Sequence, residues 1–259
     1  MDNGWSFCIV TAPKNDDIVL KNISTILSEF ITEKNYEIIV IGKTKKTVRI
    51  DHHNITYIDI NEDFYFPNFS WNNIKRAIKE KSIKRLLFKY GPISYKKNYA
   101  AKQAKYNKLC IMHDYVGLEK GWLSGFNNFG NNWDVSMNII LNQDNTRYRD
   151  WCAWDYPDIG PGLLPYEHYV KQMYISGTYF CVKRKFFIEN LLNESLFWGE
   201  AEDIEWSLRV REKTQFKMNI HSKVKFLKLK PKDHPPYTQE WIENTQKLYS
   251  LQGNIVSKR

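Results

Sequence analysis

Nowhere in the 259 residues does an apolar run approach the roughly 18 that a membrane-spanning helix requires. Met1 to Ser6 lack the basic start and apolar stretch of a secretory signal, so the sequence predicts a cytoplasmic protein. The four cysteines, Cys8, Cys110, Cys152 and Cys181, are widely spaced, without a CxxC pair or a Cys-His spacing that would build a zinc site, and they read as buried free thiols. Glycine is scarce at 12, and none falls in Thr11 to Asn15 after the first apolar run, which argues against the Gly-rich phosphate loop of a sugar-nucleotide nucleotidyltransferase. Acids are outnumbered, 29 against 38 Lys and Arg, which leaves a net charge of +9. That excess favours nucleotide phosphates, other polyanions or peripheral contact with an acidic membrane surface, without choosing among them. No zinc finger, RRM-like aromatic strand or basic recognition helix accompanies it, so nucleic acid is not an expected partner.

Aromatic residues are plentiful, 16 Tyr, 14 Phe and 9 Trp, more than core packing usually asks for, and some rings are expected to face a ligand. Ser6 to Thr11 and Glu37 to Ile41 read as buried strands, the second stopped by Gly42. Between them Ile18, Leu20, Ile23, Ile26, Leu27 and Phe30 recur at helical spacing. Asn54 to Ile60 and Leu109 to Met112 read as further strands, Asn72 to Glu80 and Tyr95 to Tyr106 as helices. Strands alternating with helices predict an α/β domain with a mainly parallel sheet, whose ligands bind beyond the strands' carboxyl ends, just after Val10, Ile41 and Met112.

Past Tyr115 the chain turns to Gly, Asn and aromatics, then gives a strand from Val135 to Leu141 and a long loop from Asn142 to Tyr169. Ile175 to Lys183 reads as a strand and Glu200 to Glu212 as a helix, while the Lys-rich runs at Lys43 to Lys46 and Lys223 to Lys232 read as solvated faces. The length fits one domain over 1–230, with halves 1–116 and 117–230, and a C-terminal loop and helix over 231–259.

Four constellations carry candidate chemistry. His113, Asp114 and Tyr115 follow a strand directly at the ligand-binding edge, although such a trio also suits a turn that hydrogen-bonds its own backbone. Glu200, Glu202, Asp203 and Glu205 crowd a helix start, where the macrodipole alone would favour acids, but Trp198 and Gly199 just before them allow close approach of backbone or substrate. His234 sits in a Pro-rich loop. Tyr148, Trp151, Trp154, Asp155 and Tyr156 offer ring faces and a carboxylate that suit an acceptor sugar, or equally the core.

In their order, Lys97-Asn98, His113-Asp114-Tyr115, Ser176-Gly177 and Trp198-Gly199-Glu200-Ala201-Glu202-Asp203 resemble the motifs of the GT-A glycosyltransferases, especially inverting family two, over roughly the first 210 residues. The resemblance implies a GT-A, Rossmann-like fold and transfer of a hexose from a nucleoside diphosphate sugar, UDP-linked by expectation, to a hydroxyl of a glycan, glycolipid or glycoprotein. It implies Asp203 as the catalytic base supported by Glu202. Thr11, Ala12, Pro13, Lys97, Asn98, His113, Asp114 and Tyr115 would bind the nucleotide sugar. Trp154, Asp155, Gly177, Trp198 and Gly199 would bind the acceptor. A divalent ion, Mn2+ or Mg2+, would rest on Asp114, His113 and His234, although Asp114 is the only acid where the family has a DxD. A non-catalytic sugar- or nucleotide-binding protein on the same scaffold, and a nucleotidyltransferase, are the competing readings.

Overall fold

The first apolar run forms strand β1 (Asp2–Val10), and α1 (Asp16–Glu29) returns across it, burying Val19, Ile23 and Ile26. The structure is a computed structural model and describes residues 2–12, 15–45, 49–60, 71–79, 92–153, 162–169, 173–196 and 201–228. β2 (Tyr36–Ile41) and β3 (Ile55–Ile58) follow. After α2 (Trp71–Lys79) and α3 (Pro92–Gln103) the chain enters β4 (Tyr106–His113). β5 (Val116–Leu118), α4 (Trp122–Phe129) and β6 (Val135–Leu141) come next. The short strands β7 (Cys152–Ala153), β8 (Gly162–Leu163) and β9 (Met173–Tyr174) lead to β10 (Tyr179–Lys183) and α5 (Arg184–Glu189). α6 (Glu202–Val210) and β11 (Lys217–Phe226) complete the order.

Among the described residues eight strands form one sheet in the order β3-β2-β1-β4-β10-β6-β11-β5, and β8-β7-β9 form a second, small sheet. The α/β class is as expected, and β3, β2, β1 and β4 are parallel. The other half is mixed: β10 runs antiparallel to both β4 and β6, β11 is parallel to β6, and β5 is antiparallel to β11. This reversal places the start of β10 beside the end of β4, with Tyr179 opposite Met112. Two segments distant in sequence thus share the carboxyl edge of the parallel strands.

Many of the described aromatic residues go into the core. Behind β1, Trp5 packs edge-on against Trp122 at 4.7 Å and Phe126 at 4.6 Å, and Phe7 against Phe30 at 5.1 Å. A second group joins Trp206 to Phe180 at 5.7 Å, Phe187 at 5.9 Å and Phe216 at 6.5 Å. Each such ring withdraws about 150–250 Å² from water, the largest contribution a single side chain makes to a core. The Lys-rich run from Lys223 is in part a strand with a solvated lysine face: in β11 Ser222, Val224 and Phe226 are buried while Lys223 and Lys225 point outward. All four cysteines are buried free thiols, and burial raises those of Cys8 and Cys152. Among the described residues no helix is long and apolar enough to cross a membrane.

Candidate functional site

The turn after β4 is stitched to both neighbouring strands. His113 N donates to Thr178 O at 3.0 Å, and Asp114 N donates to Val10 O at 3.1 Å. From α1, the buried Asn22 donates its amide to Val116 O at 2.6 Å and to His113 O and Asp114 O at 3.3 Å each. The carbonyls of a tight turn would otherwise be orphaned under the helix, so Asn22 fixes the His-Asp-Tyr backbone.

Asp114 points inward and is 2 % exposed. Its Oδ2 accepts from Thr11 Oγ1 at 2.7 Å and from Asn15 Nδ2 at 2.8 Å. Burial raises its carboxyl above the ordinary value, against the lowering effect of those two donors, Lys228 and the Ala12 backbone. Lys228 donates to Asn15 Oδ1 at 3.2 Å and stands 5.6 Å over the Tyr115 ring, which lies 5.3 Å from the His113 ring. The buried Lys96 donates to Thr11 O at 2.8 Å. The β2 end passes so close that a Cβ on Gly42, whose φ is +134°, would meet Thr11 O at 2.3 Å. Thr11, Asp114, His113 and Tyr115 are therefore gathered as expected, while Ala12 is exposed beside them.

The acidic helix start lies one residue away through Gly177 and Thr178. Tyr115 Oη and Thr178 Oγ1 are 3.4 Å apart. Asp203 Oδ2 accepts from Gly177 N at 2.8 Å, and Oδ1 accepts from Ile204 N at 3.0 Å. Ala201, just before α6, adopts a left-handed φ of 56°, a costly conformation for a residue with a Cβ, and it turns Glu202 and Asp203 toward the sheet edge. Burial raises the Asp203 carboxyl, the neighbouring Glu202 raises it further, and Lys97 and the two backbone donors oppose both. Lys97 is fully buried and donates to Gly177 O at 2.7 Å and to Glu202 Oε1 at 3.1 Å. Consecutive lysines on α3 thus brace the two halves, Lys96 under Thr11 and Lys97 under Gly177 and Glu202.

Several sequence-based assignments change. Lys97 supports the acidic pair from beneath. Asn98 is a structural brace: it donates to Leu192 O and Glu194 Oε1, both at 2.9 Å, and accepts from Leu192 N at 3.0 Å, which uses both ends of its amide. Trp151 is buried and donates to His168 O at 2.7 Å, so its ring is not open to a sugar, while the half-buried Tyr148 packs edge-on against Phe226 at 4.5 Å. Pro13, Trp154, Asp155, Trp198, Gly199 and His234 lie outside the described residues. Asn15, Asn22, Lys96, Thr178 and Lys228 were missed by the sequence reading. Asn15, in the loop after the first strand, Lys96, beside Lys97, and Thr178, beside Gly177, carried a positional signal.

Of the three residues that the resemblance gives to the divalent ion, His113 and Asp114 stand together at the strand end, and His234 lies outside the described residues. Asp114 Oδ2 is already taken by two donors within a buried pocket, and no group of three His, Cys, Asp or Glu among the described residues could hold an ion. Among the described residues the polar groups and Lys228 fit hydrogen bonding to a polar ligand with cationic support.

Gly177 itself is a steric requirement, because a Cβ there would meet Asp203 Oδ2 at 2.8 Å and Asp203 Cβ at 3.0 Å. Gly177→Ala is expected to push Asp203 off the Gly177 N–H and to lower stability by about 1–3 kcal/mol, read by denaturant unfolding. A scan of protein-family models gives no match to this chain, and a search of curated proteins gives none.

Proposed function

We propose that the chain is a GT-A glycosyltransferase that transfers a hexose from a nucleoside diphosphate sugar to an acceptor hydroxyl with inversion. The observation that carries this reading is the placement of Asp203. A carboxylate whose proton affinity is raised by burial stands on Gly177 N, one residue from the strand-end turn that holds Asp114 and Thr11. A nucleotide binder needs the second half of this arrangement, and a transferase needs both.

In this mechanism the nucleotide sugar lies along the edge formed by Thr11, Asp114 and Tyr115, with Lys228 beside them to offset the diphosphate charge. The acceptor hydroxyl meets Asp203, which takes its proton as the oxygen attacks the anomeric carbon. The bond to the nucleoside diphosphate breaks on the opposite face, the electron pair leaves with the phosphate oxygen, and the new glycosidic bond has inverted configuration. Lys97 and Gly177 N keep the base oriented and limit the rise in its proton affinity. Glu202, tied to Lys97, lies on the same helix turn and lines the acceptor side.

The base works only when ionised, so activity rises with pH as Asp203 loses its proton. Because that carboxyl is raised, the acidic limb of the pH-rate profile is expected above the usual Asp value of about 3.9. The test is release of nucleoside diphosphate from a panel of nucleotide sugars with simple sugar acceptors, and the anomeric configuration of the product by NMR. Release with inversion supports the reading. Tight binding without turnover on any acceptor supports a non-catalytic binding protein in its place.

A further inference from the structure

Helix α2 has more apolar surface than the domain covers. At about 100° per residue, Trp71 and Ile78 project within about 20° of each other, Ile74 lies about 50° further round and Ala77 about 110°. Burial follows that arc: Ala77 is 6 % exposed, Ile74 is half-buried, and Trp71 and Ile78 are 69 % and 72 % exposed. The domain therefore takes one edge of the apolar face and leaves the other in water. On the far side of Trp71 and Ile78 come the exposed Lys75 and Lys79, and Lys75 Nζ sits 5.7 Å over the Trp71 ring. The sequence around the helix is strongly basic, with Arg76, Lys81, Lys84 and Arg85 against the single acid Glu80 from Trp71 to Arg85.

A large aromatic ring and an aliphatic side chain side by side, flanked by lysines, match the chemistry of a lipid-water boundary. The apolar pair can enter the acyl region while the ammonium groups meet phosphates. Lysine stems reach along an apolar surface and keep their charged ends at the headgroups. A protein partner could cover the same stripe, but the bordering lysines and the chain's net charge of +9 favour an extended anionic surface.

We propose that α2 is an interfacial anchor that docks this chain on an anionic lipid bilayer, with Trp71 and Ile78 inserted and Lys75 and Lys79 at the headgroup phosphates. This proposal does not depend on the transferase reading.

The test is co-sedimentation of the full chain with vesicles of phosphatidylcholine alone and of phosphatidylcholine mixed with phosphatidylglycerol. Wild type is expected to bind the anionic vesicles at least about tenfold more tightly, and less so as salt is raised. Both Trp71→Ser/Ile78→Ser and Lys75→Glu/Lys79→Glu are expected to lose about tenfold of that binding with unchanged melting temperature. No binding by wild type overturns the proposal. So does full binding by the Trp71→Ser/Ile78→Ser variant, which would mean that charge elsewhere holds the lipid. A lower melting temperature for that variant shows the side chains packing within the chain, and a concentration-dependent dimer that it abolishes shows a second copy on the face. Either result also overturns the proposal.

Discussion

Asp203→Asn is expected to lower transfer by about a hundred- to ten-thousand-fold, the usual contribution of a positioned general base. The same substitution is expected to leave the melting temperature at neutral pH no lower than wild type. The native state holds a proton on Asp203 more tightly than the unfolded chain does, because burial and Glu202 disfavour the ionised carboxylate. With a raised folded value, the stabilising contribution is present at low pH and is lost as pH rises through that value. At neutral pH the ionised side chain is a cost, and a neutral amide avoids it while its oxygen can still accept from Gly177 N. Activity and stability therefore part company at this residue. A variant that is both inactive and unstable would point to a structural role, and a variant with full activity would remove Asp203 from the mechanism.

Lys97→Met is the largest expected stability effect. The ammonium group is fully buried and satisfies Gly177 O and Glu202 Oε1, and the Glu202 side chain is only 13 % exposed. Removing one partner of a buried ion pair leaves the other charge without compensation, at a cost of about 3 kcal/mol. For a domain of this size that corresponds to a fall in melting temperature of about 10 °C. A functional signature should accompany it. Lys97 opposes the rise in the Asp203 carboxyl, so its removal is expected to move the acidic limb of the pH-rate profile to higher pH. A purely structural lysine would lower the melting temperature and leave that limb in place. Thermal denaturation and a pH-rate series on the same variant separate the two.

The legible parts of this chain are those where one periodicity dominates. β1, α1 and β2 follow from clean apolar runs and a 3.6-residue stripe, and their predicted and observed bounds differ at the ends. α4 was missed because Gly125, Asn127 and Asn128 dilute its apolar face, although Trp122 and Phe126 are buried. β11 was read as a charged run because lysines occupy alternate positions, which is the pattern of a half-exposed strand. The mixed character of the sheet could not be read locally, since pairing direction depends on which distant strand lies alongside. At the site, the order of motifs pointed to Asp114, Gly177 and Asp203. Their wiring did not follow from it: Lys97 meets Gly177 across 80 positions, and Asn98 meets Leu192 across 94. A buried amide and a buried ammonium look alike in a motif that usually reads as ligand-binding, and only their partners distinguish a brace from a contact.

On the proposed reading, the edge formed by Thr11, Asp114 and Tyr115 binds a nucleotide. The most direct measurement of this is the melting temperature of the full chain with UDP, GDP, CMP and ADP, each in EDTA and in Mn2+. A ligand that binds only the folded state at about 100 times its Kd adds about 2.7 kcal/mol. One of these nucleotides is expected to raise the melting temperature already in EDTA, because Lys228 stands at this edge beside Asn15 and Tyr115 to meet the diphosphate charge. Asp114→Ala is expected to lose that shift. An unchanged melting temperature with all four nucleotides, with and without Mn2+, would contradict nucleotide binding at this edge and with it the transferase reading.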